Sequence, residues 1–163
     1  MEFEIDMAEF LKIDNIELSK LLMEVYVEGG YTKPDEAVTH FEPGAVKQRG
    51  MMIIAREKRQ SRLAGIVIVV PPNSPARRLA QDNEAELQLL GVRPEYRGYG
   101  LGRKLVTCAI DNAKQSAYTK LVLWTQPSMP LAQKIYETSG FLHVDDMVRN
   151  GRDFKIYELS LAA

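Results

Sequence analysis

Leu90-Gly91-Val92-Arg93-Pro94-Glu95-Tyr96-Arg97-Gly98-Tyr99-Gly100-Leu101-Gly102 is the stretch that decides how the rest of the chain is read. Before it, Ala85 to Val92 has the length and apolar content of a strand. After it, from Gly100 to about Ser116, Leu101, Leu105, Cys108, Ala109 and Asn112 recur at helical spacing. A strand therefore runs through a glycine-rich turn into a helix. Such a turn aims backbone N–H groups at one spot where the helix dipole is also positive, which suits a phosphate or pyrophosphate. Arg97 adds a full charge, and Gly98, Gly100 and Gly102 permit close approach of an anion. Taken alone, a Gly-x-Gly is also read as a tight turn.

Other anion turns fail on spacing. A nucleotide P-loop needs Gly-Lys-Ser/Thr, whereas Gly102 is followed by Arg103-Lys104-Leu105. A dinucleotide site needs Gly-x-Gly-x-x-Gly and an acidic residue closing the next strand, where this chain has Trp124-Thr125-Gln126.

Working outward, Phe3, Ile5 and Met7 alternate as a first strand does, and Asp14 or Asn15 can cap a helix with the apolar stripe Ile16, Leu18, Leu21, Leu22 and Val25. Gly29-Gly30 ends that helix. Pro34 opens a second, to about Lys47, interrupted near Pro43-Gly44. Met51–Glu57 and Leu63–Val70 flank a polar turn and read as a hairpin, stopped by Pro71-Pro72. A polar loop then runs to Asn83. Lys120–Thr125 is a further strand, about Ser128 to Ser139 a helix ended by Gly140, and Asn150-Gly151 the turn of a last hairpin between Leu142–Val148 and Phe154–Leu161. The order β-α-α-β-β-β-α-β-α-β-β predicts an α/β (α+β) fold. Its central sheet is mixed and mostly antiparallel, with about seven strands and about four flanking helices.

The 163 residues suffice for one domain, 1–163, with a full core. A net charge of −1 offers no field for a phosphate backbone, so nucleic acid is not an expected partner. Positive charge gathers locally at Arg93, Arg97, Arg103 and Lys104. No apolar run reaches the length of a bilayer span and the first residues lack a basic leader, which predicts no membrane association and a cytoplasmic location. The single Cys108 falls within a helical apolar pattern and is expected buried; His40 and His143 have no partners at metal spacing, so no metal is expected.

Arg97-x-x-Gly100-x-Gly102 resembles the Arg/Gln-x-x-Gly-x-Gly/Ala signature of the GNAT acyltransferases. Ala132-Gln133-Lys134-Ile135-Tyr136-Glu137-Thr138-Ser139-Gly140-Phe141 is similar to that family's Ala-x-x-Leu-Tyr-Glu-x-x-Gly-Phe. The resemblance implies an N-acetyltransferase that carries the acetyl group of acetyl-CoA to a primary amine by direct attack in a ternary complex, the acceptor being a small molecule or a peptide. It implies that Leu90, Gly91 and Val92 line the pantetheine arm, with Gly91 marking a bulge and the Leu90 N–H facing the thioester oxygen. Arg97, Gly98, Tyr99, Gly100, Leu101, Gly102 and Arg103 would take the pyrophosphate. Tyr136 would protonate the departing thiolate, a role suited to a phenol. Glu86 stands where some relatives draw a general base, and its even spacing from Leu90 predicts that both side chains share a face.

The resemblance departs at Met129, where many relatives carry an asparagine that bonds pantetheine; apolar contact from Met129, or Gln126 or Ser128, would replace it. Tyr26, Glu28 and Tyr31 fall in the segment that walls the acceptor site in many relatives. A homodimer through the sheet edge or the C-terminal strands is a further implication. A non-catalytic acyl-CoA-binding sensor on the same fold would keep the Arg97–Gly102 turn and have no use for Tyr136 or Glu86.

Overall fold

The computed structural model describes residues 1–161. Its seven strands are β1 (Phe3–Met7), β2 (Met51–Glu57), β3 (Arg62–Val70), β4 (Glu84–Val92), β5 (Lys120–Thr125), β6 (Leu142–Arg149) and β7 (Arg152–Ser160), in the sheet order β1-β2-β3-β4-β5-β7-β6. Every pair is antiparallel except β4 with β5. That parallel pair follows from its connection, because the helix α5 (Leu101–Gln115) lies between the two strands in sequence and carries the chain back across the sheet.

Helices cover both faces. On one, α5 and α6 (Pro130–Thr138) pack Leu101, Leu105, Ala109 and Tyr136 against Val67, Ala85, Leu87 and Leu121. On the other lie α2 (Asn15–Leu22), α3 (Pro34–His40) and α4 (Pro43–Lys47), whose Leu18, Leu21, Ala37 and Val46 join Ile54, Ile66 and Ile68. The alternation of β3, with Val67 and Val69 to one side and Ile66 and Ile68 to the other, is the period-two pattern of a strand buried on both faces.

Two helices exceed the expected four: a four-residue α1 (Ala8–Leu11) follows β1, and the interruption at Pro43 divides the second expected helix into α3 and α4. Asp14 is the cap of α2, in a reciprocal box: its carboxylate accepts from the Glu17 N–H at 2.8 Å while Glu17 accepts from the Asp14 N–H at 3.1 Å. Ile16, expected in the apolar stripe, points to solvent, and Cys108 is half-buried rather than enclosed. No helix among the described residues is long and apolar enough to cross a membrane.

After α2 the chain widens into a π-helical turn, Met23–Val27, in which the Glu28 N–H reaches back to the Met23 carbonyl. Three successive residues of this turn lock onto the end of β4. Glu24 holds Arg93 through two bonds at 2.7 and 2.9 Å, the Val25 methyls abut Gly91, and the Tyr26 hydroxyl donates to the Leu90 carbonyl at 2.7 Å.

Candidate active site

β4 and β5 pair over only three residues, Glu84 to Glu86 against Lys120 to Val122, and then part. From Leu87 onward the edge of β4 that faces β5 is without a β5 partner, so its peptide groups are available to an extended ligand laid in as an added strand. A cavity of about 260 Å³ lies at this opening, with Leu89, Leu90, Met129, Ala132 and Tyr136 among its walls.

The shape of β4 there depends on a bulge. Ile66 opposes Gly91 and Ile68 opposes Gln88, so three steps of β4 match two of β3, and Leu89 takes φ +56°. Ala85, Leu87, Leu90 and Val92 consequently belong to the α5 face, while Leu89 packs on the α2 face. This corrects two expectations. The bulge sits at Leu89, not Gly91, whose missing side chain instead lets Val25 approach: a Cβ there would stand 3.3 Å from Val25 Cγ1. Glu86 and Leu90 also do not share a face, because the inserted residue breaks the even-spacing rule between them.

Glu86 is accordingly turned away from the opening. It is 2% exposed; its Oε1 accepts from the backbone N–H groups of Arg78, Leu79 and Ala80 at 2.7 to 3.0 Å, and its Oε2 from Gln88 Nε2 at 2.7 Å. The three bonds to Oε1 fasten the 71–83 loop to β4, and the fourth joins two side chains of β4 itself. Glu86 is not among the cavity-lining residues.

Tyr136 reaches the opening from α6, with its ring edge-on to Phe141 and tilted against Tyr157. It lines the cavity, and among the described residues its hydroxyl has no hydrogen-bond partner. Burial pushes its phenol above the ordinary tyrosine range, so it is a neutral donor at physiological pH.

At the start of α5, Gly98 and Gly100 take φ +88° and +77°, and no side chain caps the first turn of this 15-residue helix. A Cβ at either glycine would meet nothing within 4 Å, so the cradle is open to a ligand. Its free N–H groups, with the exposed Arg97 and Arg103 beside them, fit a pyrophosphate. Gly102 serves another purpose: a Cβ there would lie 2.8 Å from Ile135 Cδ1, so its role is the contact of α5 with α6. Tyr99 leans on Phe3 and Leu101 is core. Arg93, grouped by sequence with the free positive charges, is 7% exposed and neutralised by Glu24.

Of the residues expected to wall the acceptor site, Tyr26 and Tyr31 line the cavity and Glu28 does not. Glu28 is exposed at the end of the π-helical turn. Tyr31 bridges to the β5–α6 connection, its carbonyl accepting from Gln126 Nε2 at 3.0 Å and also from Arg152. Gln126 and Met129 both line the cavity, and the Met129 sulfur faces the Thr125 hydroxyl at 3.7 Å. The sequence reading missed Glu36, His40, Arg49, Arg78, Arg149 and Arg152, all on the cavity wall. Glu36 and His40 carry a signal, a four-residue separation that puts both on one side of α3. The arginines come from separate segments that only the folded chain brings together.

Residues 15–141 match the Acetyltransferase (GNAT) family, and the chain belongs to that family. An acetyltransferase of the GNAT family from Streptococcus pneumoniae superposes with a TM-score of 0.73 over 99% of this chain and 100% of its own, at 22% identity. A Bacillus subtilis acetyltransferase in complex with CoA does so with a TM-score of 0.68 over the same shares, at 20% identity. The N-acetylaspartate synthetase of Xenopus tropicalis is 36% identical over 69 residues, which are 42% of this chain and 26% of that protein. The chain thus spans about a quarter of the length of this curated relative.

Proposed function

We propose that this protein is an N-acetyltransferase that takes its acetyl group from acetyl-CoA and delivers it to a primary amine bound in the same cavity, by direct attack. The observation that carries the reading is the parting of β4 from β5, with the open glycine cradle at one end and Tyr136 on the wall between. Acetyl-CoA supplies an acyl thioester: the amine nitrogen bonds to the acyl carbon, the bond to sulfur breaks, one proton leaves the amine and one is taken up by the sulfur.

The Arg97–Arg103 turn binds the pyrophosphate through backbone N–H groups and two exposed guanidinium groups. The unpaired edge of β4 holds the pantetheine amides, with Leu90 nearest the reacting carbonyl. Tyr26 fixes the Leu90 peptide by holding its carbonyl, and Tyr136 donates the proton that the sulfur takes up. Glu86 holds the loop that walls the acceptor side, and the amine's proton leaves through the open cavity to water.

The test has two arms. Calorimetry with acetyl-CoA should show binding to the wild type and a loss of about tenfold or more on reversing both charges in Arg97→Glu/Arg103→Glu, whose side chains are exposed. A panel of amines with acetyl-CoA, read by release of free thiol, should identify at least one acceptor. Binding without turnover of any amine would leave an acyl-CoA sensor, and absence of binding would remove the reading altogether.

A further inference from the structure

The acceptor side of the cavity is cationic. Arg49, Arg78, Arg149 and Arg152 line it, against a single lining carboxylate, Glu36. Arg152 lies 3.8 Å from Glu36, so this one pair accounts for the negative charge on the wall.

Arg49 is the most constrained of the four. Its guanidinium donates to the His40 carbonyl and to Gln88 Oε1 at 3.2 Å, and Gln88 is itself anchored on the Ala76 carbonyl and on Glu86. All of its partners are neutral acceptors: among the described residues it has no carboxylate within ion-pair distance. Glu86 stands behind Gln88 with its oxygens committed to the loop. Burial lowers the pKa of Arg49, and the neighbouring charge of Arg78 lowers it further. The Arg78 guanidinium donates only to the carbonyls of Pro75 and Arg77, and Arg149 lies over the Trp124 ring at 4.9 Å. A part-buried cation, held rigid and facing a second cation, lacks the counter-charge that a guanidinium at such a site ordinarily has.

We propose, resting on the acyl-transfer reading above, that the acceptor is a small amine that carries an anionic oxygen group, a carboxylate or a phosphate, and that Arg49 and Arg78 are its counter-charge. The planar fork of Arg49 suits two parallel bonds to such a group. The opposite class of acceptor, a polyamine with more than one ammonium, would bring its charge against three arginines that have no carboxylate partner.

The experiment uses matched amines with saturating acetyl-CoA: glycine against glycinamide, aspartate against asparagine, phosphoethanolamine against ethanolamine, and spermidine. The expected result is a kcat/KM higher by about 10- to 100-fold for an anionic member over its neutral partner. Arg49→Gln should remove most of that ratio, while Arg49→Lys should keep part of it. Arg78→Gln, at an exposed position whose side chain makes no hydrogen bond beyond its own loop and whose backbone bond to Glu86 survives the change, should reduce the ratio without lowering the melting temperature. Whether the carboxylate or the phosphate pair shows the larger ratio identifies the group.

Neutral amines or spermidine turned over as well as their anionic counterparts would overturn the proposal while leaving acetyl transfer intact. So would equal losses for both members of each pair in the arginine variants. Failure of acetyl-CoA to bind would instead strike the acyl-transfer reading itself.

Discussion

Tyr136 is where the chemistry can be tested on a single oxygen atom. Its ring belongs to the core formed with Phe141 and Tyr157, so Tyr136→Phe keeps the packing and removes only the hydroxyl, which has no partner among the described residues. The expected outcome is a kcat lower by roughly 100-fold with acetyl-CoA affinity nearly unchanged, measured by thiol release and by calorimetry. The pH dependence has a definite sign. Burial raises the phenol above its ordinary value near 10, so the group stays protonated and able to donate across the neutral and mildly alkaline range. The wild-type kcat profile should therefore show no descending limb from this residue below about pH 10. A limb near pH 8 or 9 in the wild type that disappears in Tyr136→Phe would mean that the phenol is not held in its neutral form.

Among the elements, the π-helical turn and β4 form one unit, and the Glu24–Arg93 pair is its electrostatic part. Hydrogen bonding to Arg93 lowers the pKa of Glu24 despite some desolvation. The sign is that of a depressed carboxylate: the stabilisation is present in full above the unfolded value, roughly 4.3, and is lost as pH falls through the lower folded value. Glu24→Gln should therefore destabilise at pH 7, where the buried Arg93 loses its counter-charge, and the gap between variant and wild type should narrow as pH falls below about 4.3. Denaturant unfolding at a series of pH values reads this directly; a gap of constant size would show that the pair acts through shape rather than charge.

The same unit shows what the sequence could and could not tell. Lys120–Thr125 and the Asn150-Gly151 turn were legible because β-branched runs and turn residues act locally. The turn at Gly98 and Gly100 was legible because its positive φ values leave a glycine pattern. The place of the bulge was not, since the expectation fell on Gly91 and it is Leu89, a residue without glycine's freedom, that carries φ +56°. The pairing of Arg93 with Glu24 and the meeting of four arginines at one cavity are long-range, and no local spacing encodes them.

For the whole molecule, the cavity is walled on one side by the 71–83 loop, which contributes Ala76 and Arg78 and hangs from β4 by Glu86. Two accounts of Glu86 therefore make different predictions for one substitution. As a base, Glu86 would accept a proton from the amine, and Glu86→Gln would lose most near neutrality and recover as rising pH supplies free amine. As the loop's anchor it would do neither. In Glu86→Gln one oxygen still faces the three N–H groups but without its charge, and the new amide N–H₂ opposes the Gln88 amide N–H₂, which now has no acceptor there. The expected outcome is faster hydrogen exchange at the amides of Arg78, Leu79 and Ala80 than in wild type, with the β3 amides unaffected. The kcat/KM profile should run parallel to wild type with a uniform loss of about tenfold, from a cavity wall that is ordered less of the time. A mutant that regains wild-type kcat/KM at high pH, with exchange at residues 78–80 unchanged, would return the carboxylate to the proton path. It would also require the loop to move in solution so that Glu86 reaches the cavity.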